Sequence, residues 1–317
     1  MASFASNCLV DTLATKVNTK CLNPSSQNTF QSSDIVSVMD DELSQGILPL
    51  LKATSQEYFV YNVDVPIVQG TSAYTFPTRA IGNALRDVVL VDSAGNEVSL
   101  NNLMREYIKV SFPFTFVPTI WTFGQYPTAN EINLYNTMIQ TYTSYKLRFI
   151  TERRPGGLTL STNCGQITAI AGNVVTLSAV DPTWMTSTTF DIINQLPPFQ
   201  SRGDDQTITL IAGSQLTFSS LPSTVQKGDW VCPAMLSCIP QIPYDMFPLL
   251  VERTVATLAE ALDMSQLLAA SKAKIQEFEE RALKLARPRV KGSPRIILNK
   301  DSLPHLGFGG FGGGFWR

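Results

Sequence analysis

The chain has 317 residues, a length that fits about two domains, and its 44% hydrophobic and 16% charged content excludes a wholly disordered polypeptide. The net charge of −2 is unevenly spread: positions 281–317 carry eight basic groups against one acid, Asp301, or +7, which leaves −9 on positions 1–280. An acidic body with a basic end points to interaction through that end and argues against a body that grips nucleic acid.

Residues 1–32 are rich in Ser, Thr and Asn, and a flexible N-terminal arm is expected there. Ser33 or Asp34 can cap a helix whose apolar positions recur at Val36, Met39, Leu43, Ile47 and Leu50 or Leu51. Pro49 lacks a backbone donor and predicts a kink or stop, with the helix over by about Ser55. From Tyr58 the period changes to that of short strands, at residues 60–68, 74–76, 87–92, 97–100, 131–135 and 145–150. Pro155-Gly156-Gly157 then marks a boundary, since it cannot continue a central strand.

Residues 164–240 read as a separate all-β unit with an internal echo. Ile167-Thr-Ala-Ile-Ala-Gly-Asn-Val-Val-Thr-Leu-Ser178 aligns with Ile208-Thr-Leu-Ile-Ala-Gly-Ser-Gln-Leu-Thr-Phe-Ser219, each a strand, a Gly-containing turn and a strand. Two copies are too few for a solenoid, so a small barrel or sandwich built from two similar hairpins is expected. Helical periodicity returns after Asp245, a candidate N-cap, with Pro248 in the first turn. An apolar stripe runs through Phe247, Val251, Thr254 or Val255, Leu258 and Leu262. Ser265 restarts a second helix carrying Leu268, Ile275, Phe278, Ala282 and Leu285, and Pro288 ends it.

Few residues could carry a reaction. The one histidine, His305, lies in a Gly-rich terminus, which excludes histidine triads and His-based metal sites. Cys8, Cys21, Cys164, Cys232 and Cys238 are odd in number and fit no C-x-x-C pattern, so reduced thiols and no metal are expected. Asp40-Asp41-Glu42 reads as a solvated helix face. Asp204-Asp205 follows Arg202-Gly203 in a loop-like context and could offer oxygens to a cation, but no D-x-D-x-D-G pattern extends it. Asp229 reads as a turn residue. No nucleophile elbow or phosphate-binding glycine loop is present, and neither a catalytic site nor a cofactor is expected. There is no pattern of a signal peptide and no apolar run long enough to span a bilayer, so the reading is of a soluble, intracellular chain outside the membrane.

Residues 288–317 mix a basic linker with glycine-spaced aromatics. Arg295, Ile296 and Ile297 precede Leu306, Phe308, Phe311, Phe315, Trp316 and Arg317. Glycine at this density packs no core of its own, yet burying each Phe or Trp on another surface stabilises by roughly 1.5–3 kcal/mol. An extended arm that docks aromatic anchors on a partner is the reading these residues support. Lys and Arg near a helix C-terminus also offset the macrodipole, so they do not by themselves signal nucleic acid.

Several segments resemble a family of virion proteins. Glu42-Leu-Ser-Gln-Gly-Ile-Leu-Pro-Leu-Leu-Lys52, Glu57-Tyr-Phe59, Tyr74-Thr-Phe-Pro-Thr-Arg-Ala-Ile-Gly82, Leu85-Arg-Asp87 and Arg153-Arg-Pro155 are joined by Gly228-Asp-Trp230, Ile239-Pro-Gln-Ile-Pro243 and Pro288-Arg-Val-Lys-Gly-Ser-Pro294. Together they resemble the head-to-tail adaptor (connector) proteins of tailed phages, most similar to those of short-tailed phages, over most of residues 35–300. The resemblance implies a neck ring of about twelve subunits in cyclic symmetry beneath the portal vertex. It also implies helices around a channel through which genomic DNA passes without specific binding, and a C-terminal arm against the portal protein. The tail tube or nozzle protein meets the opposite side.

Under this reading Leu258, Leu262, Leu268, Ile275, Phe278 and Leu285 pack the ring, and residues 295–317 dock on the portal. The fold expected is α+β: a helical and β-rich core over 33–157 and 241–287, an inserted small barrel or sandwich over 158–240, and an extended arm over 288–317. The inserted unit departs from the simplest all-helical adaptors. A tail-tube or nozzle component is the structural alternative. A β-rich module for host glycans, with Trp184 and Trp230 as an exposed platform, is the alternative from another class.

Overall fold

A computed structural model of the chain describes residues 7–21, 30–54, 58–68, 71, 73–99, 101–102, 122–126, 131–134 and 145–286. The fold is α+β, with helices, two four-stranded sheets and a closed barrel. Among the described residues no helix is long and apolar enough to cross a membrane. The expected arm over 288–317, including Arg295, Ile296, Ile297, Leu306, Phe308, Phe311, Phe315, Trp316 and Arg317, lies outside the described residues.

The reading of residues 1–32 as a flexible arm needs correction. Helix α1 (Val10–Lys20) buries Val10, Leu13, Ala14 and Val17, an i, i+3, i+4, i+7 stripe set among polar residues. Its first N–H donates to the Cys238 carbonyl at 2.9 Å, and Lys20 pairs with the buried Glu252. Helix α2 (Ser32–Glu42) starts from a reciprocal capping box between Gln31 and Asp34. The predicted break near Pro49 is a π turn, Leu43–Ile47, followed by α3 (Leu48–Thr54). Pro49 cannot donate and its ring crowds the carbonyl four residues back, so the preceding turn widens, with the Leu48 N–H reaching the Leu43 carbonyl.

Helix α4 (Phe247–Ala261) carries Pro248 in its first turn and follows a short 3-10 turn, Tyr244–Met246. Its N-cap is therefore Met246, not Asp245. Asp263, at φ 55°, turns the chain into α5 (Ser265–Ala286). Buried side chains of α1 to α4, with Ala282 of α5, form one core that also takes in Cys164, Ile193, Phe199, Cys232 and Cys238.

The strands before the barrel form two sheets. Strands β1 (Val60–Pro66), β3 (Ala80–Val91), β4 (Glu97–Ser99) and β8 (Lys146–Arg153) assemble in the order β1-β8-β3-β4. Strands β2 (Ala73–Thr75), β5 (Asn101–Asn102), β6 (Thr122–Tyr126) and β7 (Glu131–Leu134) assemble as β2-β7-β6-β5. Between them lies a second core that includes Tyr74, Phe76, Val88, Leu90, Ile132, Leu147 and Phe149.

The chain then passes through β9 (Gly157–Leu158), makes the barrel and leaves through β16 (Leu236–Ser237). β9 and β16 pair in parallel, so the barrel's two connections run side by side. The barrel strands are β10 (Gly165–Ala171), β11 (Val174–Leu177), β12 (Thr189–Ile193), β13 (Ser201–Ala212), β14 (Gln215–Phe218) and β15 (Trp230–Pro233), closed in the order β10-β11-β14-β13-β12-β15. Closure leaves no free edge, and it selects the barrel over the sandwich.

The echo proves to be a two-fold repeat. The constant offset that carries Ile167 onto Ile208 matches β10, β11 and β12 with β13, β14 and β15. Gly172 and Gly213 turn the two hairpins at φ 60° and 59°. A bulge follows both Ile167 and Ile208. Thr168 and Thr209 donate to the Thr176 and Thr217 carbonyls at 3.0 and 3.1 Å. Across the axis the Leu177 N–H donates to Ser214 and the Phe218 N–H to Asn173, reciprocal as a two-fold requires.

Candidate functional site

The least expected chemistry lies at two corners of the barrel that the repeat offset exchanges. At the first corner, Arg79, in the turn before β3, inserts between the sheet and the barrel and is only 6% exposed. Its guanidinium forms two bidentate pairs: Nη1 and Nη2 to Asp191 of β12 at 2.6 and 2.7 Å, and Nε and Nη2 to Asp205 of β13 at 3.0 and 2.6 Å. Asp191, 1% exposed, also accepts the N–H groups of Asp205 and Met235, each at 3.0 Å, so four donors surround it. Asp205 and Met235 adopt positive φ of 50° and 68° to present those donors. Beside them Asp204 pairs with Arg153 and accepts the Tyr61 hydroxyl at 2.6 Å. Burial, and then the Asp204 charge and hydrogen bond, raise the Tyr61 phenol well above its ordinary value, so it stays a neutral donor. Asp204-Asp205 do bind a cation through oxygen, and the cation is supplied by the chain itself as arginine. Such planar, two-pronged pairs fix orientation as well as charge.

The second corner takes its residues from the same positions of the other half. The offset carries Asp191 onto Cys232 and Asp205 back onto Cys164. Cys164 precedes β10, Cys232 lies on β15, and Cys238, just beyond β16, completes the group. All three are buried, with exposures of 3%, 0% and 0%. Their sulfurs lie within 4.8 Å of one another, with Cys232 and Cys238 at 3.8 Å. Burial pushes the Cys232 thiol up, but its contacts with the Cys164 and Cys238 thiols outweigh burial and hold it below an ordinary thiol. Cys164 and Cys238 are raised, first by burial. The sequence spacing leads to no metal being expected; the barrel gathers three cysteines, which no local spacing announces, into a group that could hold an ion.

The other expected site residues fall as follows. Leu258 is 3% exposed in its own chain, so its surface is already used and cannot also pack a neighbouring subunit; that assignment is withdrawn. Ile275 and Phe278 are partly buried against the same helical core, and Leu262 and Leu268 are half-buried. Leu285 lies on α5, with its side chain outside the described residues. Asp229 closes a turn by accepting the Gln226 N–H at 2.8 Å and pairs with Arg202 at 3.0 Å. Asp40, on the face read as solvated, accepts the Leu158 N–H at 2.9 Å. Trp184 is 9% exposed and packs on Phe190 at 4.7 Å, and Trp230 rests on the helical core, so they do not form a joint exposed platform.

The fold therefore defines a duplicated barrel clamped to the four-stranded sheet by buried charge at one corner and packed on the helical core by gathered thiols at the other. Comparison with known proteins gave no matching family model and no matching curated protein.

Proposed function

We propose that the protein is a structural subunit of a tailed-phage neck, assembling into a ring that joins the portal vertex to the tail and continues the DNA channel. The sequence resemblance across residues 35–300 supports this reading. The observation that carries it is the form of α5. This 22-residue helix, about 33 Å long, rests on α4 by one stripe and leaves Lys272, Lys274, Glu277, Glu280, Arg281 and Lys284 exposed. A long exposed face of mixed charge, braced by a rigid core, suits repeated head-to-tail contacts in a cyclic assembly. In that ring Leu262 and Leu268 supply apolar contacts to the neighbouring subunit, and residues 295–317 dock on the portal protein. The −9 body beside the channel keeps DNA from adhering, because adhesion needs cations that displace its counterions.

Deleting Leu306–Arg317 tests the reading. The truncated chain should keep the circular dichroism and melting point of the full chain but lose co-sedimentation with the portal. Undiminished co-sedimentation would remove the docking arm from the account. Among the described residues, Trp184 and Trp230 form no exposed platform for the glycan-binding alternative.

A further inference from the structure

The two-fold repeat gives the thiol corner a meaning that its sequence spacing hides. At the first corner, positions 191 and 205 converge on a cation, the Arg79 guanidinium. At the second corner the equivalent positions, 232 and 164, are cysteines, and the third sulfur comes from Cys238. Each hub draws a group from the segment that follows β15: Asp191 accepts the Met235 N–H, and the Cys232 sulfur lies 3.8 Å from that of Cys238. Hard oxygens face a hard organic cation in one half, whereas soft sulfurs face one another in the other. We propose that Cys164, Cys232 and Cys238 are a three-thiolate site for a soft, thiolate-seeking d10 metal ion, of which Cu(I) fits best.

The sulfur spacing fits a metal. Metal–sulfur bonds of about 2.3 Å set neighbouring sulfurs about 3.8–4.0 Å apart in tetrahedral or trigonal coordination. The Cys232–Cys238 separation of 3.8 Å matches that edge, and the three cysteines are free thiols. Thiolate donors select Cu(I) and Zn(II) among available ions. Among the described His, Cys, Asp and Glu residues, only these three form such a group. Three sulfurs satisfy Cu(I), while structural zinc almost always takes a fourth ligand. Loading changes no oxidation state: each ligating thiol breaks its S–H bond, forms a bond from sulfur to the metal and gives its proton to solvent. Affinity therefore tightens as pH rises. A bound ion would tie the start of the barrel, its last strand and the segment after β16. Through the Val10 N–H on the Cys238 carbonyl, it would also steady α1.

The test uses the full chain, reduced and under anaerobic conditions, loaded with Cu(I) against a coloured Cu(I) chelator and, separately, with Zn(II) against a zinc indicator. Loading is done both directly and during refolding. The expected result is one retained equivalent of Cu(I), an X-ray absorption shell of three sulfurs at about 2.3 Å, and tighter retention at higher pH. Cys164→Ser and Cys232→Ala should each cut retention at least tenfold, while Cys21→Ser, buried elsewhere in the helical core, should keep the full equivalent. The absorption shell of the unaltered chain decides the matter even if a variant misfolds. One Zn(II) bound by these sulfurs, with Cu(I) rejected, would keep the site and overturn the choice of ion. The site itself is overturned if neither ion is retained, if the shell is of oxygen or nitrogen, if the variants bind undiminished, or if mass spectrometry finds a Cys232–Cys238 disulfide in the protein as isolated.

Discussion

The two halves of the barrel share a backbone and differ in chemistry. Ile167, Val175 and Leu177 of one half and Ile208, Leu216 and Phe218 of the other fill a common interior, and the same bulge and hairpin turn recur in both. At the rim that faces the rest of the molecule they part: Asp191 with Asp205 hold Arg79, whereas Cys232 with Cys164 meet Cys238. Interior positions need only volume and apolarity, and a repeat preserves those readily. Rim positions answer to whatever they touch, which is the sheet on one side and the helical core on the other. A duplicated fold can thus dock onto two different surfaces by changing a few residues.

This contrast can be broken experimentally. The largest effect is expected from Asp191→Ala, which leaves the buried Arg79 charge and the part-buried Asp205 and Met235 N–H groups short of their partner and should cost about 3–5 kcal/mol. The equivalent change in the other half, Cys232→Ala in metal-free protein, removes a small apolar side chain and should cost about 1 kcal/mol. Urea unfolding of both variants measures the difference, and equal losses would contradict it.

Gly172→Ala and Gly213→Ala sharpen the likeness instead. A β-carbon at either site meets no atom within 4 Å, so the penalty is that of a left-handed backbone alone, about 1–2 kcal/mol. The two losses should agree within about 0.5 kcal/mol, a spread typical of independent sites.

The smallest effect concerns pH. Asp181 is held below the ordinary carboxylate value by the N–H and hydroxyl of Thr183, while its equivalent in the other half is Pro222. Because its folded pKa is lowered, its contribution is fully present above the unfolded carboxylate value and is lost as pH falls through the folded one. Asp181→Asn should flatten the acid limb of the stability–pH curve slightly, seen by thermal melts from pH 5 down to pH 2, roughly the range over which such a carboxylate titrates.

Much of the architecture was legible in the sequence because it is written locally. The stripe from Phe247 to Leu262, the alternation of β8 and the Ala-Gly turns at 171–172 and 212–213 each report their own structure. Helix α1 escaped because the Ser, Thr and Asn content of residues 1–32 outweighed a short apolar stripe that was there to be counted. The corners escaped for another reason. Arg79 lies 112 residues from Asp191, and Cys164 lies far along the chain from Cys232; docking of the sheet on the barrel joins the first pair and barrel closure the second. The offset between the two hairpins was the available signal. Followed past Ser178 and Ser219, it pairs Asp191 with Cys232, and followed back before Ile167 and Ile208, it pairs Cys164 with Asp205.

A barrel fastened to a sheet at one corner and to a helical core at the other is a rigid subunit, and the neck-ring proposal requires that rigidity to be repeated around an axis. The most direct measurement is particle mass and negative-stain microscopy of the purified chain, alone and mixed with portal assemblies. The account predicts rings of about twelve subunits seated coaxially on the portal. A chain that stays monomeric beside intact portals, with no ring and no gain in portal mass, would contradict it.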